Sequence, residues 1–352
     1  MRKFYFLLTM VLAVTAINAQ NTYTWSGASG AAWNVATNWT PNRNVVGVND
    51  TLLFSDGSTK TIVGYPGGQT AGRVRVFNNT TITLQAPGAA QALTINNNAG
   101  DDLIIGAGSS IIQASSFEQI ILAGSARADI SGTYDLQGNF SLSNASVVAT
   151  VTGTLINAGT ITGATVTKLI FNGGTFVHAL DGGTVPTAAW NAGATLDLAG
   201  LTSNWPGGMG QNFRNVTMQG TITADVDVNA NLTVLEDLTF NFTGGAGDDL
   251  NLTTTNADVD VNVSGDVILM SGDVDMDNGN GGSIWTVLGN FTMSGGNLTE
   301  AGSGSTSIVF GGTGVQTFTK TGGTISQTIN FTVNNGSTID FGTSVLNGST
   351  GT

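Results

Sequence analysis

Three observations predict an all-β chain folded as a parallel β-solenoid. The first is composition: charged residues are 9%, against about 25% in an ordinary soluble domain, and 50 of the 352 residues are glycine. The second is rhythm. From about Arg73 the chain runs as RVRVF, TTITLQ, ALTINN, DLIIG and SSIIQ, short β-branched segments separated by Gly, Asn, Asp and Ser. Strands of four to six residues at roughly ten-residue spacing point to a sandwich, a barrel or a solenoid. The third observation is an internal repeat, a feature that decides a fold when it is present.

The repeat has four matches in the same order. AGDDL at Ala99–Leu103 returns at Ala246–Leu250, and GNFSLSNASV (Gly138–Val147) answers to GNFTMSGGNL (Gly289–Leu298). LIFNGGT (Leu169–Thr175) answers to IVFGGTG (Ile308–Gly314), and NAGATLDL (Asn191–Leu198) to NNGSTIDF (Asn334–Phe341). The offsets of 147, 151, 139 and 143 residues define a unit of about 140. A gapped duplication is easiest to add to an open-ended stack, where an insertion loops out of one turn and leaves its neighbours alone. The alternative is two tandem β-sandwich domains, since a unit of this length is an ordinary domain size. Hydrophobic residues, at 40%, are too many for a disordered chain. Helix-forming runs are scarce, and Ser115–Ala128 is the best of them.

In chain order, residues 1–19 read as a signal peptide. Arg2 and Lys3 precede an apolar run from Phe4 to Ile17, and small residues end at Ala19. The apolar part is too short and wrongly flanked for a stable membrane span. Its removal leaves 8 basic against 23 acidic side chains, a formal charge of −15, which gives no electrostatic reason to bind nucleic acid or anionic lipid. With no cysteine, disulfides, thiolate metal sites and thiol catalysis are excluded. The one histidine, His178, lies in FVHAL and reads as an ordinary β-surface residue.

Residues 20–70 place Trp25, Trp33 and Trp39 within fifteen positions. They could stack on sugar rings as a carbohydrate-binding platform. The reading preferred here is an N-terminal cap, because a solenoid must cover the raw apolar end of its first turn and three indoles bury a large area.

Trp25, Gly27, Trp33, Asn38, Trp39, Pro41, Asp50 and Phe54 together resemble the start of secreted bacterial parallel β-helix surface proteins. These include autotransporter-type passenger domains, proteins with autotransporter-associated β-strand repeats, and large repeat proteins of the outer-membrane surface. The resemblance implies a right-handed parallel β-helix, export, and a cell-surface or extracellular role. No β-barrel or sorting domain follows before NGSTGT, so it also implies either a longer natural chain or export with a partner.

Two blocks then follow, 71–205 and 206–352. Alternation along a strand assigns faces: Ile82 and Leu84 inward against Thr81, Thr83 and Gln85 outward. Ile308 with Phe310, and Ile339 with Phe341, form two further core pairs. The second block has no Lys or Arg between Arg214 and Lys320 but thirteen acidic residues, several at two-residue spacing in DVDV and DVDMDN. In a strand that spacing puts carboxylates on one face and Val226, Val259, Val274 and Met276 on the other. Stacked like charges repel, so Asp258, Asp260, Asp273, Asp275, Asp277 and Asn278 are the candidate ligands of a Ca²⁺ ion, which favours six to eight oxygens. The competing reading is a solvated acidic face. Gly-Asp-Asp, at Asp101–Asp102 and Asp248–Asp249, is read as a turn signal.

Catalysis finds little support. A lyase of the pectate type needs a base beside its metal ligands, and the acidic stretch has none. A glycosidase needs two carboxylates about 5–10 Å apart, yet nothing singles out one pair. GxSxG, HExxH and P-loop motifs are absent. Ice binding would call for flat Thr-x-Thr ladders. Thr81–Thr83, Thr160–Thr162 and Thr221–Thr223 qualify singly, but not one turn apart. The resulting expectation is an exported, non-enzymatic structural or adhesin-like rod, with surface or matrix glycans or proteins as partners. The alternatives are a carbohydrate-binding or polysaccharide-degrading β-helix, and an ice-binding protein.

Overall fold

The computed structural model describes residues 21–96 and 100–344. The signal-peptide reading of 1–19, Ala99 of the first AGDDL and the terminal NGSTGT lie outside the described residues. The chain winds into a β-solenoid of about 12 turns with almost no helix. Among the described residues, one 14-stranded sheet runs the full length, from Ala31–Ala32 to Thr338–Asp340. It is flanked in the first part by a nine-stranded and a five-stranded sheet, and in the second part by a six-stranded and another five-stranded sheet. Pairing is parallel throughout except where Trp39–Thr40 runs antiparallel to Thr22–Trp25. That short strand covers the outer edge of the nine-stranded sheet, where unpaired backbone groups would otherwise template another chain.

Alternation builds the interior. Ile82 and Leu84 are buried while Thr81, Thr83 and Gln85 face out, and Ile308 and Phe310 are fully buried. Ile339 and Phe341, on the last described turn, are half-buried against the same core. From Tyr23 to Ile329 the buried apolar side chains form a single cluster. Aromatic stacks tie turns together: Phe171 on Trp190 with centroids 4.6 Å apart, and Phe240 on Trp285 at 5.6 Å. No helix among the described residues is long and apolar enough to cross a membrane.

Ser115–Ala128, the best helical run of an all-β sequence, contains no helix. Glu118–Leu122 and Arg127–Ile130 are strands with alternating burial. Glu118 is fully buried and accepts hydrogen bonds from the backbone N–H groups of Ala86 (2.5 Å) and Ser115 (2.7 Å). Its carboxylate is thus a corner cap rather than a helix-face charge.

The flanking sheets change near the middle. The nine-stranded sheet ends at Ala189–Trp190 and the six-stranded one begins at Asn212–Phe213. Gln211 stitches this seam. It accepts from the Ala188 N–H (3.0 Å) and the Trp190 indole (3.2 Å), and donates to the carbonyls of Pro186 and Gly208. Opposite, Asp181 accepts from the backbone N–H groups of Thr202, Ser203 and Asn204 at 2.7–2.9 Å and from the Ser203 and Asn204 side chains. Desolvation works the other way, but these donors together hold its carboxyl well below the usual range.

The four sequence matches do not all fall on equivalent positions. Leu169–Phe171 and Ser307–Phe310 each precede a strand of the long sheet, and Thr195–Leu198 and Thr338–Asp340 both lie within it. Leu103–Ile105, however, precedes the long sheet while Leu250–Asn251 follows it, and Asn139–Ser141 lies in a flanking sheet while Phe291–Met293 lies in the long one.

Candidate functional site

The tryptophans are interior. Trp25, Trp33 and Trp39 are exposed by 3%, 2% and 1%. Trp39 meets Trp25 edge-on at 4.9 Å and Trp33 at 5.2 Å, and all three surround Phe54. A sugar-stacking platform needs an open ring face, which none of them has. The Trp39 indole donates to the Trp33 carbonyl (2.9 Å), and the Trp33 indole to Gln69 (2.6 Å). Arg43, which the sequence reading passed over, forms a buried ion pair with Asp50 at 3.0 Å and lies over the rings of Tyr23 and Trp39. Asp50 also accepts from the Gly47 N–H (2.8 Å). The motif residues therefore serve one another.

His178 is likewise buried, a correction to its surface assignment. In Thr175–His178 it falls on the same side as Phe176, and its Nε2 lies 2.6 Å from the Gly182 carbonyl. Burial lowers its pKa, with the Gly182 contact opposing.

The acidic residues separate into three uses. Where the chain enters the long sheet, Asn215, Asp237, Asp266 and Asn290 stand on successive turns, at or just before the first residue of their strands. Each side-chain Oδ1 accepts the backbone N–H of the next: Asp237 (3.1 Å), Asp266 (2.8 Å), Asn290 (2.6 Å) and finally Thr317 (2.9 Å). Gly265 and Gly289 make room for this, since a Cβ on either would come within 2.4 Å of the carboxylate oxygen of the turn before. Asp258 caps the Gly282 N–H (2.8 Å) in the same manner.

A second group points outward and crowds. Asp249 stands between Asp225 and Asp273 on adjacent turns, and its pKa is raised by burial, then by the charges of Asp273, Asp225 and Asp248. The third group points inward. Asp275 and Asp277 are 1% and 0% exposed, so here strict alternation fails: the strand ends at Asp275 and the chain turns into the corner. Asp275 Oδ1 accepts from the N–H groups of Asp277 and Ala301, both at 3.1 Å, and burial pushes its pKa up to about 6. Asp277 accepts from Gly279 (2.8 Å) and Gly304 (2.6 Å).

The structure thus places the six candidate Ca²⁺ ligands in different settings. Asp258, Asp260 and Asn278 are exposed, Asp273 is half-buried and accepts from the Asn297 side chain, and Asp275 and Asp277 are buried. Among the described residues no three His, Asp or Glu groups are arranged to hold a metal. The two Asp-Asp pairs also differ: Asp102 is buried 3.6 Å from Arg73 and Asp101 lies 3.5 Å from Arg127, whereas Asp248 caps Gly245.

One periodic surface went unread in the sequence. Thr59, Thr81, Ser110, Thr133, Thr154, Thr175 and Thr195 stand in register on seven successive turns of the long sheet, all facing out. Their spacing along the chain is uneven, shortest between Thr175 and Thr195 and longest between Thr81 and Ser110, because the corners differ in length. Thr133, Thr154 and Thr175 are each 21 residues apart, but the unequal intervals before them break a single period over the whole ladder. Comparison of the chain with protein-family models, with curated proteins and with solved structures found no match.

Proposed function

We propose that this chain is an exported structural element, a non-enzymatic stiff rod that presents polar faces at a cell surface or in the extracellular space. The observation that carries this reading is the unbroken 14-stranded sheet over a single apolar cluster. At about 4.8 Å per strand the sheet spans on the order of 60 Å. The placement of the carboxylates supports a mechanical role, because many of them, among them Asp181, Asp237, Asp258, Asp266, Asp275 and Asp277, cap amides of the neighbouring turn and so serve the stack itself. The basic and apolar start of residues 1–19 supports export. Two measurements test the proposal. Small-angle scattering should give the profile of an elongated particle, and expression of the full chain in a bacterial host should yield a product outside the cytosol, cleaved after Ala19. A compact particle, or an intact cytosolic product, would refute it.

The hydroxyl ladder favours a second reading, recognition of a periodic surface such as ice, because it presents seven Thr or Ser side chains in register on the outer face of one sheet. Thermal hysteresis at millimolar protein, abolished by Thr133→Lys and Thr154→Lys together, would support it. A freezing point equal to the melting point would remove it.

A further inference from the structure

We propose that the outer face of the nine-stranded sheet, near its N-terminal end, binds an acidic saccharide: a uronate- or sulfate-bearing sugar of a polysaccharide. The site is a concavity of about 510 Å³ lined by Thr51, Leu53, Arg73, Arg75, Phe77 and Asn78, among others. That volume lies in the range of small-ligand sites, about 300–1,000 Å³.

Arg73 and Arg75 are two residues apart in the strand Arg73–Val76, so both project outward about 7 Å apart. Arg73 faces buried Asp102 at 3.6 Å. Arg75 is differently placed. Its neighbours on the adjoining turns are Leu53 and Ile104, its Nε is buried without a hydrogen-bond partner, and among the described residues it forms no ion pair. Arg43, Lys60, Arg73, Arg127 and Arg214 each have a carboxylate within 4 Å. In a chain of net charge −13, a guanidinium kept away from carboxylates is well suited to an external one, and its planar fork matches carboxylate or sulfate oxygens.

The surroundings specify a sugar. Phe77 is half-exposed and its ring lies across Gly106 of the next turn, where a Cβ would come within 2.7 Å of the ring. One side of the ring is held by this contact and the rest borders the concavity as an apolar surface for a pyranose. Asn78, held by a hydrogen bond to the Ser55 carbonyl (3.1 Å), and the hydroxyls of Thr22, Thr51 and Ser55 border the same space. A polyphosphate or nucleic-acid backbone could meet the arginines, but it offers no pyranose face to Phe77 and no ring hydroxyls to the Thr, Ser and Asn side chains that border the space.

The test is calorimetric titration of the full chain with a galacturonate trisaccharide, a sulfated galactose disaccharide, a neutral cello-oligosaccharide and an oligoglutamate. At least one acidic saccharide should bind, and the neutral sugar and the peptide should bind at least tenfold more weakly. Arg75→Gln should weaken that binding at least tenfold with far-UV circular dichroism and melting temperature unchanged, and Arg75→Lys should fall between. On the wild-type chain, the bound saccharide should protect Arg75 from phenylglyoxal, a readout independent of any variant's folding. Failure of both acidic saccharides to bind, equal binding of oligoglutamate, full binding by folded Arg75→Gln, or no protection of Arg75 would each overturn the proposal.

Discussion

Replacing Asp275 with Asn should stabilise the protein, and the gain should depend on pH. The wild-type carboxyl sits at 1% exposure with its pKa pushed up to about 6 by burial, against an ordinary 3.8. The folded state therefore holds this proton more tightly than the unfolded chain does. The site costs nothing below about pH 4, the cost grows as pH rises towards the folded value, and it is complete above it. A shift of about two units corresponds to about 3 kcal/mol at most. Asn keeps the Oδ1 acceptor for the Asp277 and Ala301 N–H groups and removes the buried charge, although its amide must find an acceptor of its own. The expected net gain is therefore about 2 kcal/mol above pH 7 and near zero at pH 4. Urea denaturation of both proteins between pH 4 and 8, compared as a difference at each pH, isolates this site from the other carboxylates. If the variant were less stable at pH 7.5 than at pH 4 relative to wild type, the anion would be the favoured native form and the reasoning would fail. Repeating the series in calcium is informative, because only a bound cation would make the charged form favourable.

Trp39→Ala should cost about 3–5 kcal/mol, and in a stack of nearest-neighbour contacts the damage should stay local. Hydrogen exchange is expected to lose protection over the first turns while the amides beyond residue 250 are unaffected. Asp181→Ala should destabilise the middle seam by about 1 kcal/mol, a figure discounted for its exposure. Its depressed pKa makes this contribution complete above about pH 4 and progressively lost below it, so the variant and wild type should converge in melting temperature in strong acid. Asp266→Ala should cost about 1–2 kcal/mol by stranding the Asn290 N–H, whereas Asp266→Asn should be nearly neutral in thermal melts. The melting temperature should be equal in millimolar calcium and in excess chelator, since the carboxylates proposed as ligands are distributed among different faces.

The sequence announced its strands clearly because alternation and turn residues are local signals. Ile82, Leu84, Ile308 and Phe310 fell inside for that reason alone. The tryptophan segment was legible as a cap, though its Arg43–Asp50 pair was not, since nothing in the spacing of those two residues announces a contact. What stayed hidden depends on register between turns. The capping row from Asn215 to Asn290 and the hydroxyl row from Thr59 to Thr195 exist only once corners of unequal length have been wound. Alternation misled at one limit: Asp275 lies at the last position of its strand, where the chain bends into the interior. His178 follows alternation, two positions after buried Phe176, and the surface assignment went astray by weighing its polarity over its register. The shared AGDDL was misleading in another way. A turn signal can be reused at any corner, so identical letters came to rest on different sides of the stack.

The backbone hydrogen bonds of this molecule run along its length while its strands run across it. A pull on the two ends loads the terminal row alone, so that turns peel off singly while the remainder stays wound. Because one turn of a solenoid stores a whole circuit of chain, each turn paid out at about 3.3–3.6 Å per extended residue adds on the order of 70–100 Å. Under tension the rod becomes a spool that lengthens in steps longer than the rod itself, shedding load before any single attachment has to carry it all.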